Sequence, residues 1–123
     1  MLSDDDIARI AERIARRCAP LVVGTFGSYA IGTPCEQSDL DLFVIRNSTG
    51  QLLVTERTIR RILFGVLHPL DIHVFTPEGF EETAYEPLSF TWVIARQARL
   101  YYATNEAKRM VPSLFSVGKS KPK

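Results

Sequence analysis

A chain of 123 residues can bury one hydrophobic core but has no room for two, so a single domain is expected. Apolar residues at 46% and charged residues at 24% exclude a disordered or membrane-embedded chain. With 15 basic against 14 acidic residues, nothing global draws the protein to nucleic acid or an anionic membrane, and neither partner is expected.

The opening Met1-Leu-Ser-Asp-Asp-Asp is acidic where a secretory signal would be basic, which leads us to expect an unprocessed cytoplasmic protein. Ser3 and Asp4 to Asp6 supply N-cap oxygens and first-turn negative charge, and Ile7, Ile10 and Ile14 then recur at helical spacing. This amphipathic helix should end before Pro20. Leu21 to Phe26 reads as a short buried strand running into Gly27-Ser28, with a helical turn over Ser28 to Ile31. Gly32 to Ser38 is a polar loop, and Asp39 to Ile45 alternates as a second strand. Asn47-Ser-Thr-Gly50 breaks that strand, and an amphipathic helix follows from near Thr55 to Phe64. Pro69 to Phe75 is a third strand that stops at Thr76-Pro77. A last helix starts around Glu86-Pro-Leu-Ser89, and Arg99 to Tyr102 forms an edge strand. From Thr104 the chain turns polar, and Lys119 to Lys123 has too little apolar content to pack. The order of elements implies an α/β (α+β) fold, a mixed β-sheet flanked by α-helices.

Chemistry concentrates at the starts of two strands. Side chains alternate along a strand, so Asp39 and Asp41 point the same way, with Cα atoms roughly 6.6 to 7 Å apart, while Leu40 and Leu42 point to a core. Asp71, between Leu70 and Ile72, repeats the arrangement and converges on the same cleft if the strands are neighbours. At about 5 Å and an effective dielectric near 20, each pair of carboxylates repels by about 3 kcal/mol, so a cation is needed. Mg²⁺ answers that need, because it is commonly held by one or two carboxylates plus substrate phosphates. Gly27-Ser28 between a strand and a helical turn offers N–H groups, a close backbone approach and a hydroxyl to a phosphate. Metal and anion sites together specify a nucleoside triphosphate, with two ions clamping an in-line displacement. His73 shares the face of Asp71 but reads as an ordinary packed histidine, and Cys35 as incidental, with nothing nearby to lower its thiol pKa.

Gly27-Ser-Tyr-Ala-Ile-Gly32, Ser38-Asp-Leu-Asp41-Leu and Leu70-Asp-Ile72 together resemble the DNA polymerase β-like nucleotidyltransferase superfamily. Thr76 to Glu81 and Ala98-Arg-Leu-Tyr-Tyr102 are similar to its minimal nucleotidyltransferase branch. The resemblance implies a nucleotidyltransferase domain over residues 1–105, with 106–123 a frayed basic tail. It implies catalytic, metal-ligating roles for Asp39, Asp41 and Asp71, with Mg²⁺ or Mn²⁺ as cofactor. Gly27, Ser28 and Ser38, the last an ordinary turn residue when taken alone, become nucleotide contacts. Members of that branch often act as antitoxins of helical HEPN ribonucleases, and some transfer AMP from ATP to a tyrosine of the toxin. A HEPN-type partner is therefore implied, and a homo-oligomer is compatible. Many such proteins carry Arg where this chain has Ile31. Two alternatives stand beside transfer to a protein: an inactive antitoxin that works by complex formation, and transfer to a small-molecule hydroxyl, which normally requires a further acceptor-binding domain.

Overall fold

The computed structural model describes residues 1–47 and 52–115, with side chains omitted for 52–54. Helix α1 (Asp4–Cys18) begins with a reciprocal cap: the Ser3 hydroxyl accepts the Asp6 N–H at 3.1 Å, and the Asp6 carboxylate accepts the Ser3 N–H at 2.9 Å. Its apolar stripe, Ile7, Ile10, Ala11, Ile14 and Cys18, is buried. The chain continues through β1 (Val22–Phe26), the single turn α2 (Ser28–Ile31), β2 (Leu40–Ile45), α3 (Leu52–Ile62) and β3 (Leu70–Phe75). It then forms α4 (Pro77–Ala84), α5 (Phe90–Gln97), β4 (Arg99–Ala103), α6 (Ala107–Met110) and a 3-10 turn over Pro112–Leu114.

The four strands lie in the order β3-β2-β1-β4. Strand β1 runs antiparallel to β2 and β4, whereas β2 and β3 are parallel, so the sheet is mixed, as the sequence implies. Both faces are covered. Val23, Leu40, Leu42 and Val44 pack on one face with the stripe of α1 and with Ile59, Ile62 and Leu63. Val22, Phe26, Phe43 and Ile45 pack on the other with Phe80 and Ala84 of α4 and Ile94 and Ala95 of α5. The period-two alternation of β2 thus feeds two cores, and its end is where polar groups emerge.

Three differences from the sequence reading have identifiable causes. Helix α3 begins at Leu52, earlier than Thr55. Helix α4 has no counterpart in the sequence reading, which only ends β3 at Thr76-Pro77. In the fold Pro77 occupies the first helical turn, the Thr76 hydroxyl accepts the Gly79 N–H at 3.0 Å, and Phe80 and Ala84 are buried. The chain also stays packed beyond residue 105: Ala107, Val111 and Leu114 join the α4–α5 core, and the Ser113 N–H donates to Glu81 at 3.2 Å. Of the expected frayed tail, residues 116–123 lie outside the described residues, as do Ser48 to Gly50 of the expected strand break. No helix among the described residues is long and apolar enough to cross a membrane.

Candidate active site

Topology brings the chemistry-bearing residues to one end of the sheet. Because β2 runs against β1 and along β3, the end of β1 lies beside the beginnings of both others. Phe26 pairs with Asp41, and Asp41 with Asp71. Gly27 therefore follows directly on the strand position opposite the first of two adjacent acids. Asp41 and Asp71 occupy the same face because they share a register position, as do Phe43 and His73 two residues on. Asp39 stands just before β2 and is exposed, one residue outside the strand that the sequence pattern included it in.

Asp41 sits where its charge is costly. Burial above all, and then the charges of Asp71 and Asp39, push its carboxyl above the usual carboxylate range; a hydrogen bond with Asp71 adds to the rise, and His73 pulls the other way. Among the described residues, no three His, Cys, Asp or Glu side chains are gathered into a group that holds a metal ion. Full convergence of the three acids is thus not reached: Asp41 and Asp71 meet, and Asp39 acts on Asp41 through its charge, since mutual repulsion opposes closing three carboxylates on a point. Two adjacent hard oxygen donors with a third acid in Coulombic range nonetheless suit a divalent cation that completes its shell with phosphate oxygens.

Gly27 has φ +73, a conformation that penalises any side chain, and a Cβ there would run into the Asp41 carboxylate. Its carbonyl accepts the N–H groups of Ala30 at 3.0 Å and Ile31 at 3.1 Å, closing α2. Its own N–H is not offered to an anion, contrary to the sequence reading, but donates to the Gln97 side chain at 2.9 Å. Ser28, half-buried, has a hydroxyl without a protein partner among the described residues, and it begins the turn whose first N–H groups have no intrahelical acceptor. The Ser38 hydroxyl is engaged locally, accepting the Cys35 N–H at 2.9 Å.

The supporting residues that sequence reasoning leaves out are one two positions from Asp71 on its own strand and others whose contacts cross long stretches of chain. His73 Nε2 lies 2.9 Å from Asp71 Oδ2, so the histidine left out of the site in fact abuts it. Buried Tyr29 accepts the Leu2 N–H through its hydroxyl at 3.1 Å and lies 3.5 Å from His68 Nε2, which in turn is 2.9 Å from the Ser38 carbonyl. That chain of contacts ties α2 to the loop that delivers Asp39. Cys35 also needs correction: hydrogen bonds from the Ser38 hydroxyl, first, and nearby backbone hold its thiol below the usual range.

On this mixed sheet, with paired acids beside a Gly-Ser turn, a nucleotidyltransferase domain model matches residues 7–109, and the chain belongs to the nucleotidyltransferase domain family. Solved structures of similar fold include a chain of a toxin–antitoxin complex with AMP-PNP, at TM-score 0.59 and 15% identity, covering 88% of this chain and 83% of that one. A chain of an MntA-HpeT toxin–antitoxin mutant with two Asp-to-Glu substitutions has TM-score 0.57 and 14% identity, over 93% of this chain and 85% of that one. Another MntA-HpeT mutant gives TM-score 0.60 at 14% identity, over 94% and 85%. At these identities the likeness is one of fold. No curated protein sequence matches the chain.

Proposed function

We propose that this nucleotidyltransferase moves AMP from ATP to a hydroxyl of a helical HEPN-type protein and is that toxin's antitoxin. The observation that carries the reading is the Asp41–Asp71 register beside Gly27, which sets two adjacent acids next to a turn able to receive phosphate. Supporting the finer part, the similar folds are those of toxin–antitoxin proteins, one of them with AMP-PNP.

Asp39, Asp41 and Asp71 would hold Mg²⁺ or Mn²⁺, which when bound supplies neutralisation of the triphosphate and of the charge that develops on the leaving oxygen. Ser28 and the first turn of α2 bind the phosphates. Gln97 holds the backbone of that turn through the Gly27 N–H. Asp71 takes the proton of the incoming hydroxyl, and His73 orients the carboxylate that receives it. The acceptor oxygen then bonds to the α-phosphorus as the bond to the bridging oxygen breaks, and pyrophosphate leaves.

Incubation with α-labelled ATP and Mg²⁺ or Mn²⁺, with and without a helical HEPN-type protein, tests the reading. Label should pass to the partner and disappear with Asp39→Asn or Asp41→Asn. A complex that forms but takes no label under either metal would sink transfer and leave the second reading, an antitoxin that acts by binding alone. Ile31 favours that second reading, being 55% exposed where the resemblance has Arg, so no guanidinium faces solvent at the end of α2.

A further inference from the structure

We propose that His68 is the positioning residue for Asp39, fixing the direction in which the one acid outside the strands faces Asp41 and Asp71. The proposal rests on the reading of the three acids as metal ligands and adds what keeps the third of them in place. Asp39 has no strand to fix it, since β2 begins at Leu40, and the charges of Asp39 and Asp41 oppose each other. Left to itself, its carboxylate would swing to water. The residues on either side of it are both tied to the short segment His68-Pro69. His68 Nε2 lies 2.9 Å from the Ser38 carbonyl. A carbonyl oxygen only accepts, so Nε2 carries a proton and donates it. One residue further on, the Pro69 carbonyl accepts the Leu40 N–H at 3.0 Å. Proline has a fixed φ, so this second tie is stiff, and Asp39 is bracketed between it and the imidazole.

The Ser38 carbonyl belongs to the planar peptide that joins Ser38 to Asp39, so the bond from His68 sets the orientation of that plane and the direction in which Asp39 leaves the loop. Ser38 is held on its other side by Cys35, its N–H donating to the Cys35 carbonyl at 3.0 Å and its hydroxyl accepting the Cys35 N–H at 2.9 Å. His68 is itself mounted on the phosphate side of the site. Tyr29, in the turn α2 that follows Gly27, is 6% exposed and lies edge-on to the imidazole, with ring centroids 5.9 Å apart and an interplanar angle of 82°. Its hydroxyl oxygen, which accepts the Leu2 N–H at 3.1 Å, is 3.5 Å from the same Nε2. One histidine thus bridges the turn proposed for phosphate and the loop that delivers the acid.

The full chain saturated with a non-hydrolysable ATP analogue provides the test, with Mn²⁺ affinity read from the loss of the free-ion EPR signal. His68→Phe keeps a ring against Tyr29 but removes the donor, and it should weaken Mn²⁺ binding roughly tenfold. His68→Gln, whose amide nitrogen can reach the same carbonyl, should restore it. The loss must pass through Asp39, so in an Asp39→Asn background His68→Phe should cost nothing further. A histidine that only stabilised the fold would weaken binding by the same factor in both backgrounds. In the metal-free protein, the Leu40 amide should exchange with solvent faster in His68→Phe and at the parent's rate in His68→Gln. Unchanged Mn²⁺ affinity in His68→Phe would overturn the proposal, as would additive losses with Asp39→Asn or a His68→Gln variant no better than His68→Phe. Failure of the wider reading looks different. Mn²⁺ binding that depends on His68 through Asp39, in a protein that never transfers label, upholds the positioning role and removes the transferase reading; label transfer with Mn²⁺ binding indifferent to His68 does the reverse.

Discussion

At position 41 a carboxylate is kept where folding opposes its charge, since burial and two neighbouring acids raise its pKa. Replacing it with an isosteric amide removes the repulsion and keeps the shape. Asp41→Asn should therefore abolish transfer while stabilising the metal-free protein. The group is only partly buried, so screening limits the gain to about 1 kcal/mol, read as a higher urea midpoint with an unchanged slope. Gly27 carries the opposite expectation. Gly27→Ala must place a methyl at φ +73 and against the Asp41 carboxylate, so it should cost about 1 to 3 kcal/mol and abolish binding of the ATP analogue. That β2 and β3 lie side by side was not open to a sequence reader, but the face that Asp41 and Asp71 each take was, because period-two alternation sets it. His73, Gln97 and Tyr29 were not. Gln97 meets a glycine seventy residues earlier in the chain, and only the closing of the sheet and α5 brings them together.

Among the elements, those with an uninterrupted apolar period were legible and those punctuated by Pro or Gly were not. The stripe of α1 and the alternation of β2 each name their own buried face. Helix α4 hides its signal, Phe80 and Ala84 four residues apart, behind Pro77 and Gly79, although Thr76 followed by Pro is a start signal in its own right. The same masking explains the short estimate of the domain. Ala107, Val111 and Leu114 fall at helical spacing, but charged neighbours and Pro112 disguise the stripe as a polar tail. Burial makes the outcome predictable: Leu114→Ala should destabilise the fold by about 2 to 4 kcal/mol, and ending the chain after residue 105 should leave it unable to give a cooperative denaturation curve. At the other end of the molecule, Ser3→Ala removes the hydroxyl that accepts the Asp6 N–H in the α1 cap and should cost about 1 kcal/mol in the same assay.

For the molecule as a whole, near-neutral net charge means that its response to pH is governed by local groups. The folded protein holds the Asp41 proton to higher pH than the unfolded chain does, because its carboxyl titrates above the ordinary 3.8 only when folded. Its contribution to stability is thus favourable in acid and is lost as pH rises from about 3.8 through the raised value, the reverse of an ordinary salt-bridged aspartate. Other carboxylates act in the usual direction: folding lowers the pKa of Asp6, chiefly through the Ser3 N–H, so the cap is lost as pH falls. The two separate by difference. Subtracting the stability curve of Asp41→Asn from that of the parent should leave a component that falls with rising pH across the weakly acidic range and is flat above it. Millimolar Mg²⁺ with the ATP analogue should reverse the sign of that difference at neutral pH, raising the melting temperature of the parent but not of the variant, because a ligand that binds only the folded state at a hundred times its Kd adds about 2.7 kcal/mol. A parent and variant that respond alike to Mg²⁺ and analogue would mean that Asp41 is not among the groups that hold the metal-bound nucleotide.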